Sequence, residues 1–91
     1  MDVNTVWSNI VSTAGEKFYT QRNIEFVYTI HCDKIQPTPI NGSKIDSISK
    51  ETISIVLKDY SPLRTVSQIN QKFRAPSYIF AILNDPRIKI E

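Results

Sequence analysis

The sequence predicts a small α+β domain with an N-terminal helix, a β-strand and hairpin, a three-helix unit and a short closing strand. Three observations predict this class. Apolar residues first recur at helical spacing, the next segment alternates between polar and apolar residues, and the last third contains several helix-capping signals. Because 91 residues suffice for one domain with a modest core, residues 1–91 are expected to form a single α+β domain.

The first helix is predicted over residues 3–14. Its apolar residues follow the three- and four-residue spacing of one helical face. They are Val3, Val6, Trp7, Ile10, Val11 and Ala14. Gly15 adopts the left-handed conformation at no steric cost, which favours the end of a helix at this point. We expect Trp7 to anchor the helix in the core.

A strand is predicted from Ile24 onwards, because aromatic and β-branched residues alternate there with polar ones. One face of this strand carries Phe26, Tyr28, Ile30 and Cys32. The alternation predicts that Cys32 is a small buried residue. It also predicts that His31, on the opposite face, is exposed.

The next segment, residues 35–40, is expected to pair with this strand as a hairpin. Pro37 and Pro39 lack the N–H groups that a sheet ladder uses, so the segment is expected to be an edge strand or an irregular crossing. A further short strand is expected over residues 44–48.

Capping signals predict three helices in the second half of the chain. Ser49 offers a hydroxyl to cap the first of them, over residues 49–60. The sequence Thr65-Val66-Ser67-Gln68 fits a capping box, so the second helix is expected over residues 65–73.

A short helix over residues 77–83 and a closing strand over residues 87–91 complete the predicted order. Pro76 favours the first turn of that helix and Asn84 favours its end. Only about three residues separate this helix from the one before it, which is typical of a helix-turn-helix unit. With a strand after the unit, the predicted layout is like that of a winged helix.

Composition excludes several classes of protein. The chain has one cysteine, so an intramolecular disulfide is impossible and a reducing, cytoplasmic location is expected. We expect no signal peptide, and the sequence has no apolar stretch of the roughly 20 residues that cross a bilayer, so no membrane association is expected.

No active site is expected, so the protein is not predicted to be an enzyme. The two glycines, Gly15 and Gly42, form no glycine-rich phosphate loop. His31 and Cys32 are the only residues of their types and point to opposite faces of a strand. We therefore expect no catalytic residues, no metal and no cofactor, although a half-site completed by a second subunit would look the same.

The charge distribution favours an anionic partner. Residues 1–57 carry five Lys or Arg and six acidic residues. Residues 58–91 carry six Lys or Arg and three acidic residues. No acidic residue lies between Tyr60 and Asn84. We expect a nucleic-acid-binding domain, most simply a DNA-binding one, that reads base edges with the helix over residues 77–83. The side chains expected to contact nucleic acid are Arg64, Gln68, Lys72, Arg74, Ser77, Tyr78, Asn84 and Arg87.

A protein-interaction module is the alternative hypothesis. The helix over residues 77–83 is mostly apolar, so it is equally suited to be a central helix that packs Tyr78 into the core. Tyr19 or the partly exposed Phe80 is then expected to offer an aromatic ring to an interface, as in an adaptor, an inhibitor or a homodimer. The nucleic-acid hypothesis instead requires the arginines and the lysine of the contact set to share one exposed face.

Overall fold

The computed structural model describes residues 3–60 and 62–89, which form a four-stranded antiparallel sheet with three α-helices packed on one face. The elements are α1 (Val3–Ser12), β1 (Phe18–Tyr19), β2 (Glu25–His31), β3 (Lys34–Pro39), β4 (Ile48–Ser49), α2 (Lys50–Asp59), a 3₁₀ turn (Val66–Gln68) and α3 (Pro76–Leu83). The strands lie in the order β1-β2-β3-β4. The α+β class is as predicted, but the described strands all precede α2 and α3.

The core lies between the helices and one face of the sheet. Its largest fully buried side chains come from all layers: Val6, Ile10, Phe18, Phe26, Tyr28, Ile35, Ile48, Ile53, Ile69, Ile79, Ile82 and Ile88. The opposite face of the sheet, called here the open face, carries exposed polar residues such as Thr29, Gln36 and Thr38. Period-two alternation along β2 and β3 produces these two faces.

Helix α1 buries Val6, Trp7 and Ile10 as predicted, but it ends at Ser12. Val11 is 45% exposed because it lies outside the narrow buried stripe. The helix ends two residues before the predicted end at residue 14. Gly15, with a φ of 90°, then donates its N–H to the Tyr28 carbonyl at 3.0 Å. This bond joins the end of α1 to the sheet.

A two-residue turn joins β2 to β3, and it overturns the predicted burial of Cys32. Cys32 and Asp33 both have positive φ, 49° and 61°, as tight hairpin turns require. The alternation of β2 stops at His31, so Cys32 lies at the hairpin tip and is exposed. His31 is exposed, as predicted.

Strand β3 pairs with β2 along its whole length despite its two prolines. Ile40 donates its N–H to the Glu25 carbonyl at 2.9 Å, which indicates that even-numbered residues of this strand direct their N–H groups towards β2. The backbone nitrogens of Pro37 and Pro39, which carry no hydrogen, therefore point away from β2. Strand β4 pairs only with Lys34 and Ile35, so both prolines lie on an unpaired edge, as their missing donors require.

The predicted cap of α2 is confirmed, because the Ser49 hydroxyl accepts the Thr52 N–H at 3.1 Å. The predicted helix over residues 65–73 is wrong, since only Val66–Gln68 form a 3₁₀ turn. Apart from buried Ile69 and half-buried Phe73, the residues after Gln68 are polar, so a longer helix would bury too little apolar surface to offset its nucleation cost.

Helix α3 is confirmed, beginning at Pro76 and ending before Asn84. The closing strand predicted over residues 87–91 is wrong in its described part, residues 87–89. Ile88 donates its N–H to the Asp85 carbonyl at 2.9 Å in a turn, and its side chain is fully buried. Residues 90 and 91 lie outside the described residues.

Tyr28 joins the centre of the sheet to α1 through its buried hydroxyl. The hydroxyl donates to the Ile10 carbonyl and lies 2.7 Å from the Thr13 hydroxyl. Burial raises the pKa of Tyr28 to about 12, so the group stays neutral at physiological pH. No side-chain N or O atom that is buried among the described residues lacks a hydrogen-bond partner.

Removal of this hydroxyl is expected to destabilise the domain. Tyr28→Phe should lower the free energy of unfolding by about 1–2 kcal/mol, because the buried Ile10 carbonyl loses its closest donor and keeps only the 3.4 Å contact of the Thr13 hydroxyl. Tyr19→Phe is the matched control, since that hydroxyl makes only an exposed 3.4 Å contact with Glu25. Urea denaturation measures both variants, and equal losses would contradict the assignment.

Candidate functional site

Helix α3 lacks the exposed polar face that base recognition in the major groove requires. None of its eight residues is exposed, and Tyr78, Ile79, Ile82 and Leu83 are buried in the core. The Tyr78 ring packs edge-on against Phe26, with 4.8 Å between the ring centroids. The predicted helix-turn-helix and winged-helix layouts are therefore not observed, and α3 is instead a central helix.

The side chains of two predicted contact residues form hydrogen bonds with the backbone of their own segments. Gln68 Oε1 accepts the backbone N–H groups of Arg64 at 2.6 Å and Thr65 at 2.9 Å. Asn84 Nδ2 donates to the Phe80 carbonyl at 3.1 Å and so closes the end of α3. Both side chains maintain local structure.

Arg87 forms a clamp between the C-terminal turn and the segment that joins α1 to β1. Its guanidinium donates to Asp85 at 2.8 and 2.9 Å, to Glu16 at 3.0 Å and to the Lys17 carbonyl at 2.9 Å. It also stacks on Phe18, with the guanidinium carbon 4.1 Å from the ring centroid. These partners raise the pKa of Arg87, and its hydrogen bonds hold the pKa of Asp85 below the usual range.

The other three predicted cations lie in the irregular segment over residues 62–75, called here the basic segment. Arg64, Lys72 and Arg74 are all exposed. Arg74 lies 3.8 Å from Asp46, but the two side chains are 83% and 60% exposed, so water screens this pair strongly. Three of the four predicted contact cations thus lie in the basic segment, and the fourth, Arg87, is part of the clamp.

Beside the basic segment, the turn between β1 and β2 and the start of α3 enclose a groove of about 400 Å³. Its lining, called here the polar groove, consists of Thr20, Gln21, Arg22, Ile24, Val66, Ser67, Asn70, Ser77 and Tyr78. Arg22 is the single charged residue in this lining, and it is exposed. The polar side chains in this lining carry hydroxyl, amide and guanidinium groups, and no described residue contributes a carboxylate to it.

A second, shallower groove of about 250 Å³ lies along the other side of the same turn. This aromatic groove is lined by Tyr19, Thr20, Gln21, Phe80, Ala81, Asn84, Asp85 and Pro86. Its only charged residue, Asp85, is paired with Arg87. The two grooves flank the same turn, share Thr20 and Gln21 in their linings and are together called here the trough.

The trough brings together residues from both functional hypotheses. Ser77, a predicted nucleic-acid contact, lines the polar groove, while Tyr19 and Phe80, the predicted interface residues, line the aromatic groove. Sequence reasoning missed the residues of the turn, above all Arg22. The one available signal was the polar run Gln21-Arg22-Asn23, which marks an exposed loop without indicating what lies across from it.

No cluster of three or more His, Cys, Asp or Glu side chains suited to a metal ion occurs within residues 3–60 and 62–89. In the same part of the chain, no helix has the length and apolar character of a membrane span. No protein-family model matches the chain, and comparison with curated proteins and with solved structures finds no significant similarity.

The clamp is expected to make stability depend on pH. Because Arg87 lowers the pKa of Asp85, this stabilisation is complete at neutral pH and is lost as the pH falls below about 4. Arg87→Gln should lower the free energy of unfolding at pH 7 by about 1–2 kcal/mol, a value reduced by partial solvent exposure. The difference in the free energy of unfolding between Arg87→Gln and the wild type should be smaller at about pH 2.5, where Asp85 becomes protonated.

Urea denaturation at both pH values checks this expectation. Arg74→Gln serves as the control, because its exposed 3.8 Å pair with Asp46 should contribute little at either pH. A deficit for Arg87→Gln that is the same at both pH values would show that the Asp85 carboxylate is not the coupled group.

Proposed function

We propose that this domain is a non-catalytic nucleic-acid-binding module that contacts the phosphate backbone through the polar groove and the basic segment. The observation that carries the proposal is the composition of the groove, whose lining includes Arg22 and several neutral donors but no carboxylate. A surface of this kind attracts anions, because no negative group opposes an approaching phosphate.

The donors present are those that proteins use on phosphates. Ser67, Ser77, Asn70 and Arg22 line the groove, and their side chains carry groups that donate to phosphate oxygens. The Ser67 hydroxyl also lies 3.0 Å from the Thr65 hydroxyl. Arg22 forms no ion pair with any described residue, so its charge is available to a ligand. Binding therefore does not require an internal salt bridge to be broken.

The basic segment extends this surface by long-range attraction. Arg64, Lys72 and Arg74 are exposed cations within the acid-free stretch between Tyr60 and Asn84. Exposed cations steer a polyanion towards a site and make its affinity depend on salt. This role differs from that of a reading helix, because the phosphates rather than the base edges are contacted.

The open face of the sheet favours a second candidate, a protein-interaction or self-association module. Tyr19, Glu25 and Ile40 form one row across this face, since Tyr19 pairs with Glu25 and Glu25 receives the Ile40 N–H. Tyr19 is 52% and Ile40 is 73% exposed. Exposed apolar side chains such as these two, on either side of Glu25, are typical of protein contacts. Ile40→Ser should abolish self-association in sedimentation experiments if this candidate is right.

The leading proposal is tested by fluorescence anisotropy with labelled RNA and DNA, single-stranded and duplex, between about 50 and 200 mM salt. Binding should fall steeply with salt. Arg22→Gln should weaken it by roughly threefold to tenfold and reduce the slope of log K against log salt by about 0.7–0.9. Lys58→Gln, an exposed lysine on α2 outside the groove lining, is the matched control.

Two results would contradict the proposal. One is the absence of binding to every nucleic acid at about 50 mM salt. The other is an equal effect of Arg22→Gln and Lys58→Gln, which would indicate general attraction to net charge without a site at the groove.

A further inference from the structure

We propose that the polar groove binds the terminal phosphate of a nucleic-acid strand, and that Ser77 and Tyr78 at the start of α3 donate hydrogen bonds to it. This inference rests on the proposed function and adds the chemical group that the groove recognises. It is carried by two observations at the start of α3, an N–H group without an acceptor and a nearly buried hydroxyl without a partner.

The first turn of α3 has no side-chain cap among the described residues. Ala75 occupies the cap position, and Pro76, the first residue of the helix, carries no N–H. The N–H groups of Tyr78 and Ile79 both bond to the Ala75 carbonyl at 3.1 Å, whereas no described residue accepts the Ser77 N–H. A free N–H group at a helix start, together with the helix dipole, attracts an anion.

Tyr78 adds a donor that the fold leaves unused. Its side chain is 8% exposed, and no described residue forms a hydrogen bond with its hydroxyl. Every completely buried side-chain oxygen of the described residues has a partner, so the Tyr78 hydroxyl reaches solvent. The polar groove is a cavity that Tyr78 lines. Burial raises the pKa of Tyr78, so the hydroxyl keeps its proton and can donate it to a hydrogen bond.

The groove receives donors from three parts of the chain. Arg22 lies in the turn between β1 and β2, Asn70 lies in the basic segment, and Ser77 and Tyr78 lie at the start of α3. A phosphate monoester, the group at the end of a phosphorylated strand, has three acceptor oxygens and a charge of about −1.5 to −2 at pH 7. A phosphate within a strand carries a single charge. Donors on several sides therefore suit the terminal group better.

The basic segment favours a strand over a small phosphate compound as the source of this group. Its residue Asn70 lines the groove, and its cations Arg64, Lys72 and Arg74 are exposed outside the groove lining. A small compound in the groove would leave these cations without an anion. The rest of a strand carries further phosphates, which the same cations attract.

The test compares labelled single strands of about twelve nucleotides that have a phosphate at the 5′ end, at the 3′ end or at neither, with the label at the opposite end. In fluorescence anisotropy, phosphorylation of one end should tighten binding by about tenfold. This ratio of affinities is called here the end preference. Tyr78→Phe should reduce the end preference to about threefold, because the hydroxyl is lost and the ring stays.

A matched control separates the groove from the rest of the surface. The Tyr60 ring packs edge-on against Phe73, as the Tyr78 ring does against Phe26, but Tyr60 lies outside the groove lining. Tyr60→Phe should therefore keep the full end preference. Thermal unfolding of each variant is recorded in parallel, and Tyr78→Phe should keep the wild-type midpoint because its hydroxyl has no partner to lose.

Ser77→Asp is expected to change binding and stability in opposite directions. A carboxylate at the start of α3 interacts favourably with the helix dipole, so the unfolding midpoint should not fall. The same carboxylate repels a phosphate, so the end preference should disappear. Ser77→Asn has nearly the same size as Ser77→Asp without the charge, and it should retain more of the end preference.

Failure of this inference is distinguishable from failure of the proposed function. Salt-dependent binding without an end preference would overturn the inference while the proposed function stands, and absence of binding to every probe would remove both. An end preference that Tyr78→Phe leaves intact would overturn the role of Tyr78. A nucleoside monophosphate that competes as well as the phosphorylated strand would overturn the strand as the source of the phosphate.

Discussion

The burial of Tyr28 between the sheet and α1 is the interaction on which the rest of the structure depends. Its hydroxyl contacts Ile10 and Thr13, its carbonyl accepts the Gly15 N–H, and its ring lies 5.2 Å from that of Phe18. One residue thus ties together α1, the following turn, β1 and β2. These contacts fix the position of β1. The residues that follow β1, Thr20 and Gln21, line both grooves of the trough.

Some polar side chains maintain the fold through internal hydrogen bonds, whereas others line the surface of the polar groove. Arg87 closes the C-terminal turn onto the start of the sheet, and Gln68 and Asn84 complete backbone hydrogen bonds. In the polar groove, the Thr20 hydroxyl accepts the Ile24 N–H at 3.1 Å and is also part of the fold, whereas Arg22 forms no ion pair with any described residue. The proposed function rests on this second group, because side chains with satisfied internal partners have little to offer a ligand.

Sequence patterns predicted the elements whose signals are local. The stripe of α1, the alternation of β2, the Ser49 cap and the Pro76 start of α3 needed only neighbouring residues. The predicted helix over residues 65–73 failed because a capping box gives a start without ensuring apolar surface to bury. The trough was beyond prediction, since residues 19–24 meet residues 66–86 only through the tertiary fold.

The two prolines of β3 have a consequence for how these molecules meet one another. Beyond Ile35, the outer edge of β3 is unpaired, and it presents Pro37 and Pro39 in place of two donors. A strand from another molecule would find no N–H group at either position, so the sheet resists extension from this side. Pairing of this edge with a strand of a second molecule, the kind of contact through which fibrils grow, is therefore disfavoured.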